Sequence, residues 1–293
     1  MSLETGERCI SMMSGSYLRN SNHRPSRERF LTIDIQQGDC LDILRGMDSG
    51  IAQLILTSPP YNVGKEYEVR RSMTDYVEEQ KCVIEQCSRV LKPGGSLCWQ
   101  IGNHISNGEV VPLDAVLYPA IKSSGLALRN RIIWTFGHGL HAKNRFSGRH
   151  ESILWATKGN DYYFNLDAVR TPQKYPGKKH YKGVKAGQLS GNPLGANPGD
   201  VWSIPNVKHN HPEKTDHPCQ FPQEIVRRLV LATTVPGDLV VDPYSGSGTT
   251  GVVCDALGRH ATLVEIEPRY VAIARDRILN AGGMFSSLRG AST

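Results

Sequence analysis

Short apolar runs alternate with amphipathic stretches along most of this 293-residue chain, and that alternation leaves few folds open. The runs 51–57 (IAQLILT), 96–101 (SLCWQI), 151–157 (ESILWAT), 238–242 (DLVVD) and 261–265 (ATLVE) are too short for buried helices, so they read as strands. Between them, 74–91 carries Tyr76, Val77, Val83, Ile84, Cys87, Val90 and Leu91 at helical spacing. Further helices are expected over 39–47, 112–124, 222–234, 248–257 and 268–280, and further strands over 30–36 and 130–136. Lys92-Pro93-Gly94-Gly95 is expected to end the helix before it. Strands alternating with helices give an α/β fold, a mainly parallel sheet with helices on both faces.

One stretch breaks the rhythm. From Ala168 to Gly199 there is no Asp or Glu, while Arg170, Lys174, Lys178, Lys179, Lys182, Lys185 and His180 are all present. A loop of that length is usually functional or disordered. Lys and Arg together number 34 against 28 Asp and Glu, which favours an anionic partner. Residues 1–29 and 281–293 lack periodicity and read as tails. No apolar run approaches the roughly 20 residues of a membrane span, and the first residues lack an apolar signal core, so a cytoplasmic protein is expected. The seven cysteines are irregularly spaced, with no CxxC pair, and read as reduced thiols rather than a disulfide or zinc framework. His138, His141, Lys143, Arg145, Arg149 and His150 form a second basic stretch, suited to gripping a phosphate backbone. It has no carboxylate or cysteine, so no metal is expected there.

Asp242-Pro243-Tyr244-Ser245-Gly246-Ser247-Gly248-Thr249-Thr250-Gly251 follows an expected strand and opens an expected helix. The glycines allow a tight turn and close backbone approach to a ligand. Glu265, ending the next strand, can accept both hydroxyls of a ribose. The GxGxxG pattern also fits a dinucleotide site, and hence a nicotinamide-dependent oxidoreductase. Asp242 leans against that reading, because a carboxylate beside the turn repels a pyrophosphate and suits the ammonium of an amino acid. A nucleoside with an amino-acid tail is S-adenosylmethionine.

Ser58-Pro59-Pro60-Tyr61 follows another strand. Two prolines stiffen the backbone and remove two amide donors. The Pro59 carbonyl and the Ser58 hydroxyl are then neighbouring acceptors, matched to the two hydrogens of an exocyclic amine. Tyr61 offers a face on which a base can stack. Such an amine is a poor nucleophile because its lone pair is delocalised into the ring. Hydrogen bonds to both N–H groups favour a tetrahedral nitrogen, and in-line positioning supplies much of the remaining catalysis. A Pro-Pro turn without chemistry is the bland alternative. It loses ground because both motifs stand at the ends of apparent parallel strands, where ligands gather.

Together these residues resemble the DNA amino-methyltransferases, which use S-adenosylmethionine to methylate adenine N6 or cytosine N4. The resemblance spans about residues 31–280, through TSPPYN at 57–62, RVLKPGGSL at 89–97, HESILWATK at 150–158, DVWSIP at 200–205, HPEKTDHPCQFP at 211–222, DPYSGSGTT at 242–250 and VEIEPRYVAIA at 264–274. The tetrapeptide precedes the cofactor glycines, the order of the permuted β group. The resemblance implies a Rossmann-like methyltransferase domain over 30–280, with a target-recognition region inserted at about 160–210. It places Ser58, Pro59, Pro60 and Tyr61 in catalysis. Asp39 and its neighbour Cys40 fall at the cofactor's adenine, Glu265 at the ribose, and Asp242, Pro243, Tyr244, Ser245, Gly246, Ser247, Gly248, Thr249 and Thr250 around the methionine part. Thr57 joins this cofactor set, as do His217 and Phe221 of the segment that closes over the cofactor. Many relatives read HPTQKP there, and Cys219 and Phe221 depart from that version.

Double-stranded DNA is the implied partner, with the target base flipped out. Lys174, Lys178, Lys179, Lys182, Lys185 and Arg145 are the expected phosphate contacts. Residues 63–73 are expected to be a mobile loop ordering over DNA, with Lys65, Arg70 and Arg71 near phosphate. Ser at the first position of the tetrapeptide is typical of cytosine-N4 enzymes, and Asp or Asn of adenine-N6 enzymes, so cytosine N4 is expected, with adenine N6 as the alternative. A homodimer, a cognate restriction endonuclease and a place on the nucleoid follow by the same resemblance. A non-catalytic DNA-binding module remains the contrasting reading, and an intact tetrapeptide argues against it.

Overall fold

The computed structural model describes residues 32–64, 71–139 and 141–281. Both expected tails lie essentially outside these residues, as do Lys65 and Arg70. The elements run β1 (Ile33–Gln37), α1 (Cys40–Gly46), β2 (Ala52–Thr57), α2 (Met73–Val90), β3 (Leu91–Ile101), β4 (Asn103–Ser106), β5 (Glu109–Pro112), α3 (Leu113–Ser123), β6 (Ala127–Thr135), β7 (His150–Thr157), β8 (Val201–Ser203), α4 (Gln223–Thr233), β9 (Leu239–Asp242), α5 (Thr249–Leu257), β10 (His260–Glu265) and α6 (Pro268–Asn280).

Eight strands form one sheet in the order β1-β10-β9-β2-β3-β7-β6-β8, and β4 with β5 makes a separate hairpin. Strands β1, β10, β9, β2 and β3 are mutually parallel. Strand β7 is antiparallel to both its neighbours. The alternation of side chains along each strand divides the core. Leu54, Leu56, Cys98, Val240 and Leu263 face α4, α5 and α6 through Ile225, Leu229, Val253 and Ile278. Ile55, Leu97, Trp99, Val241 and Val264 face α1, α2 and α3 through Leu44, Ile84 and Leu117. Each fully buried Leu, Ile or Val contributes about 1.5–3 kcal/mol, so both faces must be covered for the sheet to persist.

The expected end of α2 is drawn differently. The helix stops at Val90 and the chain enters β3 at Leu91, without a loop. Pro93 and Gly94 lie in a bulge, where pairing with β2 jumps from Ala52↔Leu91 to Leu54↔Ser96. Gly94 takes φ 77° there, and a Cβ on it would stand 2.5 Å from the Asp161 carbonyl oxygen. A local turn signal has been absorbed into a strand. Lys158, on the far side of β7, closes the end of α2 by donating to the carbonyls of Ser88 and Leu91 at 2.7 and 2.9 Å.

Residues 170–200 hold no helix or ladder, only isolated bridges such as Thr171↔Ala196 and Lys179↔Leu189. The chain then returns to the sheet as β8, a strand too short and too exposed to be read from the sequence. Among the described residues, no helix is long and apolar enough to cross a membrane.

Parallel strands place all their C-terminal ends on one edge. Asp39, Ser58, Asp242 and Glu265 therefore gather there from β1, β2, β9 and β10, although the sequence separates them widely. The reversal of β7 brings its beginning to the same edge: Ile101 at the end of β3 pairs with Ser152, next to Glu151.

Candidate active site

At that edge lies a cavity of about 290 Å³, and the two motifs read from the sequence form its opposite walls. Ser58, Pro59, Pro60 and Tyr61 line one side. Asp39, Cys40, Pro243, Tyr244, Ser245, Gly246, Ser247, Thr249 and Glu265 line the other, with His217 and Phe221 alongside.

The glycine wall is built from behind. Asp242 is fully buried and accepts from Thr57 Oγ1 at 2.6 Å, Thr250 Oγ1 at 2.5 Å and the Tyr244 amide at 3.2 Å. Loss of solvation pushes its carboxyl up to about 6 despite those donors. The knot ties the ends of β2 and β9 to the first turn of α5. Thr57, Asp242, Gly248 and Thr250 thus stand behind the lining rather than in it, and the Asp242 carboxylate faces two threonines instead of an incoming ammonium. From α6, Arg277 donates to the Ser247 carbonyl at 2.7 Å and to Thr249 Oγ1 at 3.1 Å. Glu265 accepts from the amides of Gly246 and Glu267, each at 2.9 Å, and burial raises its carboxyl. A carboxylate has about four lone-pair positions, so Glu265 retains acceptors for a diol. Gly246 has φ 50°, and a Cβ there would meet His217 Nε2 at 2.9 Å. The His217 ring also packs edge-on against Tyr270, with centroids 4.4 Å apart.

Asp39 caps α1, accepting from the Leu41 and Asp42 amides at 2.8 and 3.2 Å. The Cys40 thiol behind it is pushed up to about 12 by burial and is no nucleophile. S-adenosylmethionine fits this wall on observations of the structure itself. Ser245 Oγ and Gln80 Oε1 line the cavity as buried polar atoms without a hydrogen-bond partner. A hydroxyl and an amide oxygen are what an amino-acid tail, carboxylate and ammonium, would satisfy. Ile266, 56% exposed, offers an apolar face beside Glu265 for a purine.

The tetrapeptide wall is held just as closely. Tyr76, on α2, donates its hydroxyl to the Pro60 carbonyl at 2.9 Å. That leaves the Pro59 carbonyl and the Ser58 hydroxyl as the turn's acceptors toward the cavity. Asn62 sits at φ 57°, and its side chain clasps the backbone of Arg71 from both sides at 2.8 and 2.9 Å. Arg71 itself pairs with Glu79 at 3.2 Å. The Tyr61 ring rests on Gly102, where a Cβ would approach its Cε2 to 3.0 Å. The Tyr61 hydroxyl lies 3.1 Å from Ser58 Oγ, receives Gln100 Nε2 at 2.8 Å and donates to Glu151 Oε2 at 3.0 Å.

Sequence reasoning missed several of these residues. Tyr76 read as a core position at helical spacing, and spacing does not reveal where its hydroxyl goes. Gln80 reaches the Tyr244 hydroxyl at 3.2 Å, also from α2. Glu151 stands in a motif singled out above, but its place at this edge depends on the reversal of β7.

The basic side chains are placed apart from the cavity. Lys174, Lys178, Lys179, Lys182, Lys185 and Arg145 are all exposed, and none lines it. Near Arg145, Phe146 is fully exposed on the loop that joins β6 to β7. Among the described residues there is no group of three or more His, Cys, Asp or Glu placed to hold a metal.

With the geometry in place, likeness to known proteins can be weighed. A family model described as DNA methylase, of the N6/N4 methyltransferase type, matches residues 52–276. The Type II methyltransferase M.BglII of Bacillus subtilis is 50% identical over 241 residues, which is 82% of this chain and 67% of that protein. The DNA adenine methyltransferase YhdJ of Escherichia coli K12 is 32% identical over 249 residues, 83% of this chain and 82% of its own. Among solved structures, the PvuII DNA methyltransferase, titled cytosine-N4-specific, matches with TM-score 0.69 and 22% identity over 85% of this chain and 88% of its own, a likeness of fold.

Proposed function

The chain belongs to the N6/N4 family of DNA methylases, and we propose that within it this protein methylates the exocyclic N4 of cytosine in DNA. The methyl donor is S-adenosylmethionine, whose sulfonium supplies an electrophilic methyl group. The carrying observation is that the Ser58-Pro59 turn and the Gly246 turn face each other across one cavity. A base stacked in the duplex cannot enter such a cavity, so the target is extruded. Ser58 Oγ and the Pro59 carbonyl then accept the two amine hydrogens and aim the nitrogen lone pair toward the opposite wall. Tyr61 supplies the stacking face. Asp39 and Glu265 orient the nucleoside, Ser245 and Gln80 the amino-acid tail, and His217 with Phe221 shield the donor from water.

Cytosine is preferred because Ser58 begins the tetrapeptide. The second reading, adenine N6, draws on the similarity to the Escherichia coli protein named DNA adenine methyltransferase. The nicotinamide alternative leaves the tetrapeptide without a role. The exposed lysines of 174–185 and Arg145 are proposed to hold phosphates, with target recognition in the irregular segment of about 160–210. On this reading the enzyme acts on chromosomal DNA in the cytoplasm, as a dimer, beside a restriction endonuclease of the same specificity. Methyl-labelled cofactor and plasmid DNA, digested to nucleosides after reaction, test the target base. Label in N4-methylcytosine is the expected result, and label confined to N6-methyladenine reverses the assignment.

A further inference from the structure

We propose that Glu151 is the terminal acceptor of a polar chain, Ser58 to Tyr61 to Glu151, that fixes the direction of the Ser58 hydroxyl and takes up the proton released by the methylated amine. The proposal rests on the amino-methylation reading. It begins from the valence of one oxygen. The Tyr61 hydroxyl has one hydrogen and two lone pairs. Its hydrogen goes to Glu151 Oε2, 3.0 Å away. One lone pair receives Gln100 Nε2 at 2.8 Å. The contact with Ser58 Oγ, at 3.1 Å, therefore has Ser58 as donor. With its hydrogen committed to Tyr61, Ser58 presents only lone pairs elsewhere, the polarity an amine hydrogen needs. Gln100 also donates to the same Glu151 oxygen, which locks the arrangement.

The same chain gives the proton a route. The amine nitrogen bonds to the methyl carbon as the carbon–sulfur bond breaks and its electron pair goes to sulfur. The nitrogen then gives a proton to Ser58 Oγ, Ser58 gives its own to the Tyr61 oxygen, and Tyr61 gives its own to Glu151. The base ends neutral and Glu151 ends as a carboxylic acid, to be discharged to water when the products leave. No charge is left on either hydroxyl.

The surroundings suit a carboxylate that takes up a proton. Facing it are the Tyr61 hydroxyl from the tetrapeptide and the Gln100 amide from β3, and Gly102 leaves room beside its Cγ. The Cys219 thiol lies toward Tyr61 from the segment that closes over the cofactor, and His104 Nδ1 is 3.3 Å from the Tyr61 carbonyl oxygen. On β6, the opposing residue is Trp134. Among the described residues no cation pairs with Glu151, and burial lifts its carboxyl to about 7 against the pull of its two donors.

Glu151→Gln keeps size and hydrogen bonding and removes proton uptake. Two readouts separate a relay from a merely structural role. Infrared titration of the cofactor-free protein should show one protonated carboxyl in the wild type near pH 6 that is missing in Glu151→Gln. Single-turnover methyl transfer should rise with pH through about 7 in the wild type, whereas Glu151→Gln should lack that limb and run on the order of 100-fold slower at pH 8. Cofactor affinity should stay within about threefold. Tyr61→Phe, which cuts the chain but leaves the carboxyl, should lose the same limb and serves if the first variant does not fold. A variant with the wild-type rate and pH profile overturns the relay while leaving DNA methylation standing. A wild-type chain that methylates no DNA overturns both.

Discussion

Replacing Asp242 by Asn tests the buried knot under the cofactor turn through its pH dependence. Asp242 has an ordinary carboxyl value of 3.8 when unfolded and about 6 in the folded protein. Between those values the folded chain holds a proton that the unfolded chain has released. Stability therefore falls as pH rises through this window, and it is greatest below 3.8. The separation is about two pH units, and one unit corresponds to about 1.4 kcal/mol, so ionising Asp242 in place costs about 3 kcal/mol. Asn does not titrate. Whatever fixed offset the amide introduces, the stability of Asp242→Asn relative to wild type should shift by about 3 kcal/mol in the variant's favour from pH 3.5 to pH 7. Other titrating groups are common to both chains and cancel in the difference. Urea unfolding followed by the fluorescence of the buried Trp99, Trp134, Trp155 and Trp202 measures it. Curves that remain parallel across the window would refute the claim that this carboxylate is buried at a cost and reserved for Thr57 and Thr250.

Two further outcomes follow from the site. Ser58→Ala removes one amine acceptor and no cofactor contact, so turnover should fall on the order of 100-fold while cofactor affinity changes by less than about threefold; unchanged turnover would exclude Ser58 from the chemistry. Replacing Lys178, Lys179 and Lys182 by Ala should lower the slope of log affinity against log salt by about 3, at roughly 0.9 per phosphate contact; an unchanged slope would place the DNA elsewhere.

The sheet strands and most helices are legible in the sequence because burial on two faces imposes its own periodicities. Ile55 and Leu56 point to opposite faces, and Ile84 and Cys87 share one helical stripe. Where local signals compete with tertiary demand, the reading fails. Pro93 and Gly94 look like a helix stop and a loop, yet backbone pairing with β2 on either side carries them as a bulge within β3. The β4–β5 hairpin and β8 are short and partly exposed, so they leave little periodicity to detect.

The site divides along the same line. Ser58, Gly246 and Glu265 are readable because each stands in a motif whose chemistry is local. Glu151 and Tyr76 act across strand reversals and helix faces, and only the assembled sheet brings them to the tetrapeptide. Asp242 illustrates the converse. Its type and position are plain in the sequence, but the direction of its carboxylate depends on Thr250, a residue of the following helix.

A crystal structure with S-adenosylhomocysteine and a DNA duplex bearing an extruded cytosine examines the arrangement on which everything else depends. The thioether sulfur is expected beside the turn at Tyr244–Gly246, with the cytosine amine lying between it and the Ser58-Pro59 acceptors. Cofactor lodged away from that turn, or no space for a base between sulfur and Ser58, would contradict it.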